Sequence, residues 1–129
     1  MNKTQINPWL WQDNFGFSQA WKVDGAQSII FISGQAGISA EGEVMHAGDF
    51  QAQARLTFEN LKTVLEQAGA SLENIVKLGV YLVDMGNLLD YGAVQAEFFK
   101  GRMPAQTAVQ VSSLALPGMM IEVEAIAVV

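Results

Sequence analysis

Residues 49–83 read DFQAQARLTFENLKTVLEQAGASLENIVKLGVYLV, and this stretch decides the fold class. Asp49 is a good N-cap for a helix beginning at Phe50, and Gly69 is a typical C-terminal stop. Between them the apolar residues recur every three or four positions, which predicts one apolar helix face: Phe50, Ala54, Phe58, Leu61, Leu65 and Ala68. After a short connection, Ile75–Val83 alternates as a strand covered on at least one face. An amphipathic helix therefore leads directly into a strand.

Upstream of this unit the sequence predicts an irregular lead-in and then two strands. Aromatic residues crowd the lead-in, where core or interface is the ordinary interpretation: Trp9, Trp11, Phe15, Phe17 and Trp21. Strands are predicted over Phe17–Val23 and Ser28–Ser33, separated by an Asp24-Gly25 turn signal. We interpret these two strands as a hairpin, with a further short strand before the helix.

Downstream, Leu89, Val94 and Phe98 mark a second helix, and strands are predicted over Thr107–Leu114 and Met119–Val129. Two helices separated by strands require crossover connections, which gives an α+β fold with a mixed sheet and both helices on one face. The other sheet face is apolar and needs a cover, which indicates a homo-oligomer. We expect residues 1–129 to form a single domain.

Composition and charge exclude several classes of function. The chain has no cysteine and one histidine, so disulfides and thiolate metal sites are absent, and we predict no metal site and no cofactor. Seven Lys and Arg against thirteen Asp and Glu give a formal charge of −6, which argues against nucleic-acid binding. No apolar run is long enough for a membrane span, and the first residues lack a signal-peptide core. A cytoplasmic location is expected.

Four local motifs, taken together and in this order, resemble the Rid family (YjgF/RidA-like). They are Ile32-Ser33-Gly34-Gln35, the helix segments Gln53-Ala54-Arg55 and Asn60-Leu61-Lys62, Pro104-Ala105-Gln106-Thr107, and Ile121–Val128. The resemblance implies the fold shared with the trimeric chorismate mutase type, and a homotrimer with a cleft between each pair of subunits. It also implies enamine or imine deamination at that cleft.

Carried over by position, the resemblance implies six cleft residues: Phe17, Ser33, Gly34, Gln106, Ala108 and Glu122. Glu122 matches the catalytic carboxylate that orients the attacking water. Gly34 and Ala108 contribute backbone groups, which need no particular side chain. At the position of Phe17 the deaminases often carry a tyrosine, and at Gly92 an asparagine.

Gln106 is the main departure from the family pattern, because this position usually holds an arginine that clamps the substrate carboxylate. A guanidinium offers five fixed donors and a permanent charge, whereas a glutamine amide offers two donors and no charge. We therefore expect weak or absent deamination of ordinary 2-imino acids. Arg102, four residues earlier, is an alternative source of the cation if it reaches the cleft.

The residues alone leave other interpretations open. Glu122 and Glu124 share one face of a predicted strand, which is also the pattern of a solvated face with no catalytic role; we treat Glu124 as structural. A serine nucleophile at Ser33 would need His46, which is expected on a surface edge.

The sequence therefore leaves two candidate functions. The first is a small-molecule hydrolase acting on an imine, enamine or related C–N bond, and the alternative is a non-catalytic ligand-binding or regulatory trimer.

Overall fold

The computed structural model describes residues 1–129. Its strands are β1 (Asn2–Ile6), β2 (Ala20–Asp24), β3 (Ile29–Gln35), β4 (Ile75–Leu82), β5 (Ala105–Gln110) and β6 (Ile121–Val128). Its α-helices are α1 (Phe50–Gln67) and α2 (Leu88–Phe98), and short 3-10 turns occupy Trp11–Phe15, Leu72–Asn74 and Met85–Asn87. Neither α-helix combines the length and the apolar composition that crossing a membrane demands.

Four strands form a mixed sheet in the order β3-β6-β4-β5. β6 is antiparallel to both of its neighbours, while β4 and β5 are parallel. Both helices therefore connect strands that run in the same direction, as the crossover argument requires. The predicted α+β fold, with two helices and a mixed sheet, is confirmed.

The core lies between the helices and one face of this sheet. The predicted helix is confirmed: the Asp49 side chain accepts a hydrogen bond from the Ala52 N–H at 3.2 Å. Phe58 and Leu61 on α1 are fully buried, as are Leu78 and Val123 on the sheet. Each such side chain contributes roughly 1.5–3 kcal/mol by leaving water, which makes this layer the main source of stability.

The predicted hairpin between the second and third strands is wrong. β2 pairs instead with β1, from Asn2 opposite Asp24 to Ile6 opposite Ala20, and this two-stranded ribbon is separate from the larger sheet. The turn signal was correct, since Gly25 has φ +74°. The chain then leaves the ribbon, however, because the N–H groups of Gln27 and Ser28 bond to the carbonyl of Val129. β1 was missed because its sequence, NKTQI, is mostly polar.

The ribbon runs along one end of the main sheet and reaches its β5 side. Ser18, just before β2, donates its backbone N–H to Pro104 O at 3.0 Å and forms an isolated parallel bridge with Ala105. The Trp21 indole donates to Met103 O at 2.9 Å. β3 is consequently left as an edge strand with no partner on its outer side.

Other predicted boundaries also need correction. The strand expected at Thr107–Leu114 is Ala105–Gln110, because β4 ends at Leu82 and the Val111 N–H bond to Leu82 O closes the ladder. The last strand begins at Ile121 and ends at Val128. The extra strand expected before α1 is reduced to one bridge between Ile38 and Val44.

Gln53 joins two loops to α1, one before α1 and one before β6, although it was noted in the sequence only as part of a motif. It is fully buried, and its amide nitrogen donates to Met45 O and Gly118 O, each at 3.0 Å. Its amide oxygen accepts the Met120 N–H at 2.7 Å. A polar side chain on the buried face of α1 thus provides hydrogen-bond partners for three backbone groups in loops outside the β-sheet.

Candidate functional site

Glu122 and Gly34 lie together on the sheet face opposite the helices. β3 has a register shift between Ile32 and Gln35, and Gly34 lies within it. A Cβ added at Gly34 would overlap the Glu122 carboxylate, so only glycine allows this approach. The structure thus brings together the predicted catalytic carboxylate and a predicted backbone-binding residue. Ser33, the residue before Gly34, is exposed.

Glu124 shares the face of Glu122 but is already engaged. The Tyr81 hydroxyl donates a hydrogen bond to Glu124 Oε1. This bond, and next the charge of Glu124, raise the pKa of Tyr81 above its usual value. Glu122 is half-buried and receives no hydrogen bond or ion pair within the chain. Of the two carboxylates, Glu122 is therefore the one free to accept a proton from a ligand or water.

Beside Glu124 lies a shallow pocket of about 200 Å³, lined by Lys77, Gly79 and Glu124 together with β6 residues. Lys77 Nζ is 3.3 Å from Thr107 Oγ1. A Cβ at Gly79 would approach Glu124 Cγ to 2.8 Å, so this glycine too makes room for a carboxylate. The open face therefore carries two carboxylates, each beside a glycine.

Gln106 is bonded at both ends of its amide. Its Nε2 donates to Gly16 O at 2.9 Å, and its Oε1 accepts the Tyr91 hydroxyl at 2.9 Å. Gln95 Nε2 approaches the same Gly16 carbonyl at 3.4 Å. Tyr91 is only 3% exposed, and burial raises the pKa of its hydroxyl well above its usual range. At the clamp position, the amide therefore joins α2 to the N-terminal segment, and one of its two donors is already engaged.

Ala108 shares the sheet face of Gln106, and Phe17 is close to Gln106 in the chain path because Gln106 bonds the preceding Gly16 carbonyl. Phe17 follows Gly16 and packs edge-on against Trp11, with ring centroids 5.7 Å apart. Ala108 pairs with Val80 and packs against the core beneath the helices. Gly92, which matches a cleft asparagine of the deaminases, lies on α2 with open space around it.

Within one chain the predicted site residues form two groups on opposite sheet faces. Gln106 pairs with Leu78, which is buried under the helices, whereas Glu122 pairs with Tyr81 on the open face. Paired residues point to the same side of a sheet and successive residues to opposite sides. Phe17, Gln106 and Ala108 thus form one group, and Gly34 and Glu122 the other. The two groups do not form one site within a single chain.

Arg102 does not approach Gln106. Its guanidinium lies 5.9 Å from the centre of the Trp21 ring and lines another cavity, so within one chain it does not supply the alternative cation. Arg55 forms an ion pair with Glu97 at 3.0 Å on the surface between α1 and α2. His46 is exposed, with φ 56°, in the loop before α1. No group of three or more His, Asp or Glu is arranged to hold a metal.

The sequence analysis did not predict the roles of Tyr81 and Tyr91, which bond Glu124 and Gln106. Tyr81 stands at an alternate position of a predicted strand, which was a usable signal for the face shared with the two carboxylates. Tyr91 gave no comparable signal, because its partner Gln106 is 15 residues away and the bond depends on how α2 crosses β5. The engagement of Gln106 with Gly16, 90 residues away, depended equally on tertiary structure.

The chain is similar to several known proteins. The family model described as Endoribonuclease L-PSP matches residues 13–129. A RutC family protein of Pyrococcus abyssi is 41% identical over 111 residues, which cover 86% of this chain and 84% of that protein.

Two solved structures extend the comparison to the fold. YyfB of Yersinia pestis, described as a protein of unknown function of the conserved Rid family, is 34% identical, with a TM-score of 0.90 over 100% of both chains. RidA of a Psychrobacter species is 37% identical over 88% of each chain, with a TM-score of 0.74. The match to YyfB includes the N-terminal ribbon. These similarities, together with the four motifs and the mixed sheet, establish that the chain belongs to the Rid (YjgF/RidA-like) family.

Proposed function

We propose that this protein is a Rid-like hydrolase that acts on an imine, an enamine or a related C–N bond, in clefts between the subunits of a homotrimer. The observation that carries the proposal is the Glu122 carboxylate, which lies against the backbone of Gly34 without a partner of its own. A free, half-buried carboxylate beside exposed backbone can hold and deprotonate a water molecule.

The reaction is a hydrolysis without a cofactor. Water attacks the imine carbon while Glu122 takes one of its protons, and a C–O bond forms as the C=N double bond becomes single. Glu122 returns its proton to the nitrogen, the C–N bond breaks and ammonia or an amine leaves, while the new hydroxyl group loses its proton and the carbon becomes a carbonyl. Gly34 and Ala108 bind the substrate through backbone groups, since β3 and β5 are the two edge strands of the main sheet.

The trimer follows from the uncovered sheet face. Phe31 is 77% exposed and Ile29 57% exposed on β3, and Val109 on β5 is also exposed. Large apolar side chains concentrated on one face indicate a protein interface. Packing this face against the N-terminal side of a neighbour would bring Glu122 of one chain toward Gln106 and Phe17 of another, which joins the two groups of site residues.

The engaged amide of Gln106 supports substrates other than ordinary 2-imino acids. We propose that the chain belongs to a subgroup of the family without the carboxylate-binding arginine. Losing a charge-assisted contact typically weakens binding by roughly tenfold to over a hundredfold. We expect little loss of 2-imino acids, generated from common amino acids by an oxidase, in an assay run beside an arginine-bearing relative. Comparable rates would show that a carboxylate clamp is dispensable.

A panel of imines, enamines and cyclic amides tests the hydrolase itself. Glu122→Gln should abolish turnover of any substrate found while leaving binding intact, because the amide keeps the shape but accepts no proton from water. Glu124→Gln is the matched control, since it makes the same change at the carboxylate engaged by Tyr81. Full turnover by Glu122→Gln would remove Glu122 from the mechanism.

The alternative function, a non-catalytic ligand-binding or regulatory trimer, is favoured by the same Gln106 bonds, because a neutral amide with a structural role stands where the deaminases clamp the substrate carboxylate. It predicts ligands that bind and are recovered unchanged.

We further propose that the 129 residues are one domain, and that the protein works in the cytoplasm without binding nucleic acid or membranes. A relative from Schizosaccharomyces pombe named as mitochondrial makes cell fractionation the direct test of location.

RNA cleavage would suit the family description, but the formal charge of −6 opposes a stable complex with a polyanion. Incubation with labelled RNA, alongside the Glu122→Gln variant, separates the two activities. Cleavage that is lost in this variant would replace the small-molecule proposal.

A further inference from the structure

A second cavity, of about 370 Å³, lies between the N-terminal ribbon and the C-terminal end of α2. Its volume falls in the range of small-molecule sites, roughly 300–1,000 Å³. None of the residues of the proposed cleft lines it. The cavity is therefore separate from the proposed function, and its purpose has to be found in its own lining.

Positive charge is concentrated around this cavity. Lys3, Lys100 and Arg102 line it, together with a single acidic residue, Glu73, although the chain has only seven Lys and Arg against thirteen Asp and Glu. The two ion pairs of the structure, Lys22–Asp24 and Arg55–Glu97, involve none of these three cations. Three cationic side chains that form no ion pair therefore line one cavity of a protein whose net charge is negative.

The cations are positioned by neutral groups. Lys3 Nζ donates to the backbone carbonyl of Glu73 at 2.7 Å and lies 5.6 Å from the centre of the Trp21 ring. The Arg102 guanidinium lies 5.9 Å from the same ring. Trp21 is itself held by its indole bond to Met103 O. Cation–π contacts orient the charges without neutralising them, so their attraction for an anion is retained.

The remaining wall is aromatic and aliphatic. Phe98 and Phe99, at the end of α2, face the cavity with Trp21, and Leu72 and Ile75 complete it. Flat rings of this kind favour a flat apolar ligand, which stacks on them at offset or edge-on geometry. The cavity thus combines an apolar surface with cations at its edge.

We propose that this cavity binds a small anion with a flat apolar body, namely an aromatic carboxylate or an aromatic phosphate ester. The body lies against Trp21 and Phe98, and the anionic group is met by Lys100 and Arg102, with Lys3 nearby. Charge-assisted hydrogen bonds to such a group are the strong ones, and an arginine fork fits both carboxylate and phosphate. Both ligands share an aromatic body and a negative charge, and experiment distinguishes the carboxylate from the phosphate ester.

Three ligands with one body test this proposal: 2-naphthoate, 2-naphthyl phosphate and neutral 2-naphthylmethanol. Each is titrated into the ¹⁵N-labelled full-length protein, and the indole N–H resonances of its three tryptophans are followed, with Trp21 assigned from Trp21→Phe. We expect both anions to shift the Trp21 resonance and to bind at least about fivefold more tightly than the alcohol. The tighter anion identifies the head group. Equal binding of all three, or shifts confined to the other two indoles, would overturn the site.

Variants localise the anion. Arg102→Gln and Lys100→Gln should each weaken the anions by about fivefold and leave the alcohol unchanged. Lys62→Gln is the matched control, because it removes the same charge from an exposed position on α1. Lys100 is exposed beyond the end of α2, so its variant keeps the test valid even if Arg102→Gln disturbs the ribbon. Equal effects of all three substitutions would mean long-range charge only, and would contradict a built site.

Discussion

Gln106 has a structural role at the position where the family pattern has an arginine. Where the deaminases place a free guanidinium, this chain has an amide whose two ends bond Tyr91 and Gly16. The buried Tyr91 hydroxyl depends on this amide, because an unpaired polar group inside a protein is costly. Gln106 thus links α2, β5 and the N-terminal segment.

We expect Gln106→Leu to lower the free energy of unfolding by about 1–3 kcal/mol, since it leaves the Tyr91 hydroxyl without a partner. Tyr91→Phe together with Gln106→Leu should cost less than the sum of the single changes, because both partners are then apolar. Urea unfolding of the four proteins measures this coupling. Strict additivity would show that the bond contributes nothing.

Both tyrosines of the chain have a raised pKa, Tyr81 through Glu124 and Tyr91 through burial. Folded protein should therefore show little tyrosinate absorbance at 295 nm as the pH passes about 10, where free tyrosine ionises. A raised folded pKa contributes stability that is present below the unfolded pKa and is lost as the pH rises above it. Stability should thus fall above pH about 10, less steeply in Tyr91→Phe. Early titration of both rings would contradict this assignment.

Helices and strands were predicted correctly where the sequence signals were local, and were missed where they depend on contacts between residues far apart in the sequence. The helix α1 was predicted from its cap and its periodicity, both of which are local. The ribbon was not, because its anchors join distant residues: Lys3 to Glu73, 70 positions apart, and Trp21 to Met103, 82 positions apart. The two-group division of the site was equally out of reach, since it depends on the register of β4 against β5 and β6.

Gln53 offers a test at this scale. Gln53→Leu should destabilise the protein by about 3 kcal/mol or more, because three backbone groups of the flanking loops lose their partner. Gln51→Leu is the control: Gln51 lies two positions earlier on α1 and makes one exposed bond, to Asp90. Thermal unfolding of both variants suffices. Similar melting temperatures would mean that the flanking loops are stable without the hydrogen bonds of Gln53.

The whole molecule is asymmetric, with helices covering one sheet face and exposed apolar side chains on the other. The sequence anticipated this division, because the pattern of alternating strands and two amphipathic helices already leaves one face uncovered. Which residues stand on the uncovered face required the strand pairing, which places Phe31 and Tyr81 there.

We expect sedimentation equilibrium at micromolar concentration to give three times the chain mass of 14.0 kDa. Phe31→Lys should shift the mass toward the monomer, because a charge on the apolar face opposes its burial. Leu89→Lys makes the same kind of change at a residue 88% exposed on the helical side and should leave the mass unchanged. A monomer at all concentrations would remove the intersubunit cleft.

The outer side of β3 carries a further consequence, for the newly made chain. Its sequence, IIFISGQ, contains neither a charge nor a proline, the usual guards of an unpaired strand edge. Only the irregularity near Gly34 interrupts it. While it is uncovered, this edge is a template for indiscriminate strand addition. Rapid synthesis at high local concentration should therefore favour aggregates nucleated at β3, and slower expression should favour native assembly.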